Sequence, residues 1–171
     1  MDAATLRELQ APLKDMYRAD AGTARIPSEA HGSYEFETGR VTTTVDGFAG
    51  PVRAGLHPAA GGTDADACSA DLLLQAVLGC AGVTFRSVAT VMEIEVRSAE
   101  LTATGWWDAR GTLALDREVP VGVQDIVVTI AVDADADDAQ LERLARSTER
   151  YCVVGQTLAV TPRFEVVRKA A

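Results

Sequence analysis

Ser69-Ala-Asp-Leu-Leu-Leu-Gln-Ala-Val-Leu-Gly-Cys-Ala-Gly-Val-Thr-Phe-Arg86 is apolar almost all the way round a helical wheel. A helix of that kind is buried on most of its sides, and the pattern predicts one over about 69–92. Its longest apolar run, Leu72 to Phe85, is shorter than a membrane span and contains Gln75, so it reads as a core helix. Ser69 or Asp66 is placed to cap it, and Asp71 suits the positive end of its dipole. Cys80 sits within this apolar surface.

A second cysteine has a comparable setting. Asp135 to Asp138 put negative charge at a helix start, and Arg143, Arg146 and Arg150 follow toward its end. Glu142 and Arg146 form an i,i+4 pair. Leu141, Leu144, Ala145, Thr148 and Cys152 fall on one face, so Cys152 points inward from the last turn. Two thiols far apart in sequence, each on the apolar face of its own helix, point to a pair that the fold brings together. Free cysteine often behaves as a small hydrophobe, so neither residue alone carries this reading; the pair does.

Around these helices the period changes to two. Tyr34 and Phe36, then Val41, Thr43 and Val45, predict a hairpin turning at Gly39-Arg40. Further strands are expected at 51–56, 94–107, 124–132 and 162–167. Trp106 and Trp107 are expected in a strand, one facing each side. The segment after His57 is a loop by composition, with His57 read as a surface or loop-anchoring residue rather than a base. Residues 3–18 carry Leu6, Leu9, Leu13 and Met16 at helical spacing, and 19–31 read as a linker. Strands flanking two helices without regular βαβ alternation predict an α+β fold. The domain reading is an N-terminal helix and linker over 1–31, then one domain over 32–171.

The chain has 171 residues, a net charge of −9 and three cysteines. With no cluster of Lys and Arg to meet a phosphate backbone, nucleic acid is not an expected partner. No membrane association is expected either. Residues 1–18 are polar and mixed in charge, and the cysteines are few, so a reducing cytoplasm is the expected setting. No CxxC or paired-His spacing supports zinc held by the cysteines with His31 or His57, and no metal or organic cofactor is expected. Cys68 is read as a spectator thiol.

A nucleophilic thiol needs its pKa lowered by a nearby cation, a helix N-terminus or hydrogen bonds. Cys80 lies about three turns into its helix, beyond the reach of that helix's dipole. The sequence argument therefore looks to an arginine: Arg40 first, Arg53 next, and Arg86, which points about 120° away from Cys80.

The order and spacing of three motifs resemble the OsmC/Ohr proteins, the osmotically inducible and organic hydroperoxide resistance family. Gly-Gly-Thr-Asp followed by Ser69 to Cys80 resembles the run before that family's reactive cysteine. Arg150-Tyr-Cys-Val-Val-Gly-Gln-Thr-Leu158 resembles its second cysteine motif, and Pro120 to Ile130 the strand between them. The similarity spans about 33–168. The resemblance implies antiparallel sheets wrapped around two central helices in an intertwined homodimer, with sites at the interface. It implies a thiol peroxidase for organic hydroperoxides. Cys80 would be the peroxidatic thiol and Cys152 the resolving thiol, and a small dithiol or a lipoylated protein would be the reductant. Arg40, after Gly39 in the first hairpin, resembles the family's arginine position. The family's glutamate ten residues before the first cysteine is Ala70 here. Asp71 is the nearest acid and the candidate for its role, although nine residues place it about half a turn out of phase with Cys80. The family's proline after the second cysteine is Val153. These departures keep a rival open, a module of the same fold that binds an apolar molecule with little peroxidase activity. A further alternative is a redox sensor whose N-terminal helix contacts a partner.

Overall fold

The computed structural model describes residues 2–34, 41–47, 50–63 and 65–169. The chain divides into two compact units. One comprises Met1–Ser28, Val77–Ala103 and Val127–Ala171; the other comprises Glu29–Ala76 and Thr104–Ile126. The secondary structure is mixed, as the α+β reading expects.

The second of these units holds a four-stranded sheet in sequence order: β1 (His31–Tyr34), β2 (Thr42–Asp46), β3 (Val52–Gly55) and β4 (Ala67–Cys68). β1 and β2 pair antiparallel, Tyr34 opposite Thr43, while the turn expected at Gly39-Arg40 lies outside the described residues. β2 and β3 are also antiparallel, but β4 joins β3 in parallel, with Cys68 opposite Gly55. His57 anchors the following loop as expected: its Nδ1 accepts the Ala59 N–H at 3.0 Å and caps a 3-10 turn over Pro58–Ala60. Its ring meets that of Trp107 edge-on, centroids 5.3 Å apart. The exposed Trp106 closes β5 (Val96–Trp106), donating its indole N–H to Asp125 at 2.6 Å; Trp107 lies just past the strand, before the one-turn helix α3 (Ala109–Thr112).

The other unit carries the main core. α2 (Ser69–Val91) enters it at Val77 and lays down Val77, Ala81, Phe85 and Ala89, one residue per turn, all buried. Against this stripe β6 (Gln124–Ala134) presents Val128, Ile130 and Val132, every second residue, as a strand with one buried face must. α4 (Asp138–Tyr151) adds Leu141 and Leu144, and β7 (Arg163–Arg168) adds Phe164. Burying each such large side chain contributes about 1.5–3 kcal/mol, so this cluster is what fixes α2 against α4.

The sheet order is β5-β6-β7. Arg97 pairs with Asp133 and the Asp135 N–H reaches the Glu95 carbonyl, so β5 and β6 run antiparallel. β6 and β7 run parallel, from Val127 opposite Arg163 to Val132 opposite Arg168. The expectation of purely antiparallel sheets is thereby corrected at two pairings. The physical reason at β7 is the connection: α4 and the segment after it form a crossover, which a parallel pair requires and a tight hairpin cannot provide.

α4 starts with a reciprocal capping box, Asp137 accepting from the Gln140 N–H while the Gln140 side chain accepts from the Asp137 N–H. Its inward face is the one read from the sequence: Leu141, Leu144, Ala145 and Thr148 are all buried. The Thr148 hydroxyl meets the Leu144 carbonyl at 2.7 Å.

Two helices bury less than their patterns ask. α1 (Ala3–Ala19) has no buried residue, and Leu9, Leu13 and Met16 are exposed. An Arg7–Glu93 ion pair of 2.7 Å links it to the turn after α2. α2 was expected to be buried on most sides, yet Val83 is 76% exposed and Val91 51%. By length and composition alone α2 is also apolar enough to cross a membrane, but its buried stripe belongs to this core.

Because Leu144 is fully buried in this core, Leu144→Ala should lower unfolding free energy by about 2–5 kcal/mol in urea denaturation. Leu115→Ala, at a position 74% exposed, should stay within about 0.5 kcal/mol of the parent.

Candidate active site

Cys152 is a hinge residue between two helices. Its backbone is extended, φ −74° and ψ 100°, so it ends α4 and begins α5 (Val153–Thr157). It is the C-cap of one and the N-cap of the other. The first N–H groups of any helix lack intrahelical partners. Here the Gly155 N–H finds one in the Cys152 sulfur, at 3.4 Å.

Cys80 reaches the same place from α2. It is half-buried, Cys152 is fully buried, and both are free thiols. The two side chains are close enough for each to shift the other's ionisation. The structure therefore brings together the two cysteines that the sequence singled out.

Their electrostatics diverge. Burial pushes the Cys80 thiol up, but hydrogen bonds from the Val154 N–H, the Cys152 thiol, the Thr84 hydroxyl and the Val153 N–H outweigh it. The net effect holds Cys80 below the ordinary thiol range. Cys152 goes the other way. Burial pushes it up, the Gly155 N–H opposes this, and the neighbouring Cys80 pushes it up further. Of the two thiols, Cys80 is therefore the one that ionises first, beside a Cys152 that holds its proton longer. Chemically this is a nucleophile with a second sulfur already beside it.

The other sequence candidates stand elsewhere. Arg40 lies outside the described residues. Asp71 is exposed in the first turn of α2, where its charge suits the helix dipole. Arg53 pairs with Asp66, whose side chain is 4% exposed. Arg86 lines a cleft of about 500 Å³ with Arg7, Thr90 and Glu93, a cleft that includes neither Cys80 nor Cys152 in its walls. His31 is exposed, 3.5 Å from Glu29. Among the described residues no group of three or more His, Cys, Asp or Glu is placed to hold a metal ion.

What the sequence reading missed is the set of neutral donors around Cys80. Thr84 was legible: it lies four residues after Cys80 on a helix, and such pairs are neighbours. The N–H groups of Val153 and Val154 were not, because cysteine is not a usual N-cap residue and nothing else marks a helix start there.

The sequence profile of the OsmC-like protein family matches residues 62–167, a span that contains both cysteines. The chain belongs to this family. No relative is found among curated protein sequences. Among solved structures, the chain resembles an organic hydroperoxide resistance protein from Elizabethkingia anophelis. That match has a TM-score of 0.65 and 13% identity, over 85% of this chain and 99% of that one. An OsmC-like protein of unknown function from Vibrio cholerae gives a TM-score of 0.65 at 15% identity, over 85% and 99% of the two chains. An organic hydroperoxide resistance protein from Legionella pneumophila, also described as a predicted redox protein, gives 0.59 at 14% identity, over 85% and 100%. At these identities the likeness is one of fold. In this OsmC-like chain, Val153 stands where the sequence resemblance expects a proline, and Val153 has the N–H that proline lacks.

Val153→Pro tests that donor cleanly. Proline is well tolerated at the first position of a helix, and Cys152 already has the extended backbone that a following proline demands. Removing a donor to the thiolate raises its pKa. The alkylation profile of Cys80 should therefore move to higher pH, with the rate at pH 7 falling about threefold for a shift of about half a unit. Iodoacetamide labelling read by peptide mapping checks this, and an unmoved profile would remove Val153 from the account.

Proposed function

We propose that this protein is a thiol-dependent peroxidase that reduces organic hydroperoxides. The observation that carries the reading is the Cys80–Cys152 pair, two free thiols close enough to shift each other's ionisation and pushed to opposite sides of the ordinary thiol pKa. In the first step the Cys80 thiolate attacks the terminal peroxide oxygen. The O–O bond breaks, the alcohol leaves after taking a proton, and Cys80 becomes a sulfenic acid. In the second, Cys152 attacks the Cys80 sulfur, the S–O bond breaks and water leaves. A small dithiol or a lipoylated protein then reduces the disulfide by thiol exchange. A reducing compartment, the cytoplasm, suits an enzyme whose resting state is a pair of thiols.

The substrate class rests on the apolar setting of Cys80, with Val77 and Ala81 beside it on α2, and on the names borne by relatives of the same fold. The role of the family's glutamate has no resident at Ala70. In its place the reading relies on the donors at Thr84, Val153 and Val154, with Arg40 and Asp71 as the remaining candidates for activating groups. Ala70 is also what favours the rival reading of a binding module for an apolar molecule.

The reading includes a homodimer. Gly79 and Val83 lie on the face of α2 opposite the buried stripe and are exposed. A second copy meeting this face would give α2 the burial its composition calls for. Val83→Glu should then shift the protein from dimer to monomer in sedimentation velocity. A parent protein that already sediments as a monomer would count against the dimer.

The direct test is intact mass and peptide mapping after one equivalent of cumene hydroperoxide, beside a hydrogen peroxide control. A Cys80–Cys152 disulfide should form, faster with the organic peroxide. Cys80→Ser should abolish peroxide consumption. Cys152→Ser should stop at a Cys80 sulfenic acid that dimedone traps. Two unreacted thiols in the parent protein would instead establish the binding-module reading.

A further inference from the structure

The sulfur of Cys152 rests against a glycine. Gly155 is the third residue of α5 and is buried. Its N–H donates to Cys152 Sγ at 3.4 Å. A Cβ added at Gly155 would stand 3.3 Å from that sulfur, 3.6 Å from Cys152 Cβ and 3.6 Å from Phe164 Cε2. Phe164, 7% exposed within the core, backs the position from β7. A methyl group there would meet Phe164 and Cys152 Cβ at ordinary contact distance, but the Cys152 sulfur would have to give way by a few tenths of an ångström. Backbone freedom is not what this glycine supplies, since its φ lies outside the left-handed region that glycine alone adopts easily. An alanine would suit the helix, and only its methyl group would be out of place.

We propose that Gly155 is the positioning residue of the resolving step: it sets where the Cys152 sulfur stands and so how fast the Cys80 sulfenic acid closes to a disulfide. This inference rests on the peroxidase reading. The step itself is balanced without a further reagent. The Cys152 sulfur attacks the Cys80 sulfur, the S–S bond forms, the S–O bond breaks, and the leaving hydroxide takes the Cys152 proton as water. Two properties of Gly155 bear on it. The missing side chain lets Sγ approach the first turn of α5, and the N–H favours the anionic form of a thiol that burial disfavours. Disulfide geometry is narrow, with S–S near 2.05 Å and a restricted dihedral. A displacement of the attacking sulfur by a few tenths of an ångström thus slows closure far more than the attack on peroxide, for which Cys152 is one of several groups that lower the Cys80 pKa. Slow closure leaves the sulfenic acid open to a second peroxide and irreversible sulfinic acid.

The test compares the full-length parent protein, Gly155→Ala, and Gly155→Ala with Phe164→Leu. Each is mixed with one equivalent of cumene hydroperoxide and quenched over time for mass analysis. In Gly155→Ala, sulfenic acid formation should stay within about twofold of the parent while disulfide closure slows about fivefold. Excess peroxide should drive that variant to Cys80 sulfinic acid. Phe164→Leu gives the methyl group room and should restore much of the closure rate. Unchanged closure in Gly155→Ala would overturn the inference. So would equal slowing of both steps, which marks general damage. If the parent protein ignores peroxide, the peroxidase reading fails on its own. Diamide oxidation of the same three proteins then still decides whether Gly155 governs closure of the pair.

Discussion

One backbone conformation at one residue organises the site. With φ −74° and ψ 100°, Cys152 breaks the helical path after Tyr151 and restarts it at Val153. Had α4 continued unbroken, the N–H groups of Val153, Val154 and Gly155 would have been spent on carbonyls one turn back. The break frees them at the start of a new helix, beside two sulfurs. Gly155 donates to Cys152, while Val153 and Val154 lie near enough to Cys80 to lower its pKa. The same break aims the Cys152 side chain into the core rather than along the helix. Thiol placement and thiol activation are thus consequences of a single interruption, which the core anchors through Leu141 and Leu144 on one side and Phe164 on the other.

α2 performs the complementary task. Its buried stripe of Val77, Ala81, Phe85 and Ala89 sets its rotation against the sheet. That rotation leaves Cys80 on the flank, half-buried, between the stripe and the exposed face carrying Gly79 and Val83. A cysteine in the stripe itself would be sealed from any substrate, and one on the outer face would stand apart from Cys152. The flank gives access and a partner together. The apolar outer face is more than solubility alone would favour.

Much of this was legible in the sequence, for identifiable reasons. The 69–92 helix and the inward face of α4 announce themselves because long periodic segments leave a strong pattern, and both appear nearly as read. The strands at 51–56, 124–132 and 162–167 appear within a residue or two. What the pattern could not convey was pairing. The parallel partnership of β6 and β7 is set by the crossover and by packing of distant residues, and neither is encoded locally. α5 was illegible for another reason: five residues containing two valines and a glycine have weak helical preference, and the thiol that caps them is an unusual cap. The sequence argument asked for a cation near Cys80 because it could see only charges. Main-chain donors carry no letter in a sequence. Of its candidates, Arg53 is engaged with Asp66 and Arg86 lines a separate cleft, while Arg40 falls outside the described residues.

In the proposed peroxidase cycle the charge on Cys80 comes and goes, and neutral donors then have a consequence. A buried thiolate held by a buried cation leaves that cation without its partner once the sulfur is oxidised, and an uncompensated buried charge is strongly destabilising. The Val153 and Val154 N–H groups and the Thr84 hydroxyl carry no net charge. When the sulfur loses its charge they forfeit hydrogen bonds of ordinary strength, a far smaller cost. They stand at the start of a short helix, where water or a neighbouring oxygen can take over. A sulfenic acid retains an oxygen acceptor for them, whereas a disulfide offers only weak sulfur acceptors. The donors therefore favour the thiolate most, tolerate the sulfenic acid, and oppose the disulfide slightly, which eases its later reduction. In the proposed cycle, activation built from the main chain suits a sulfur that alternates between charged and neutral, because no state leaves a buried charge without its partner.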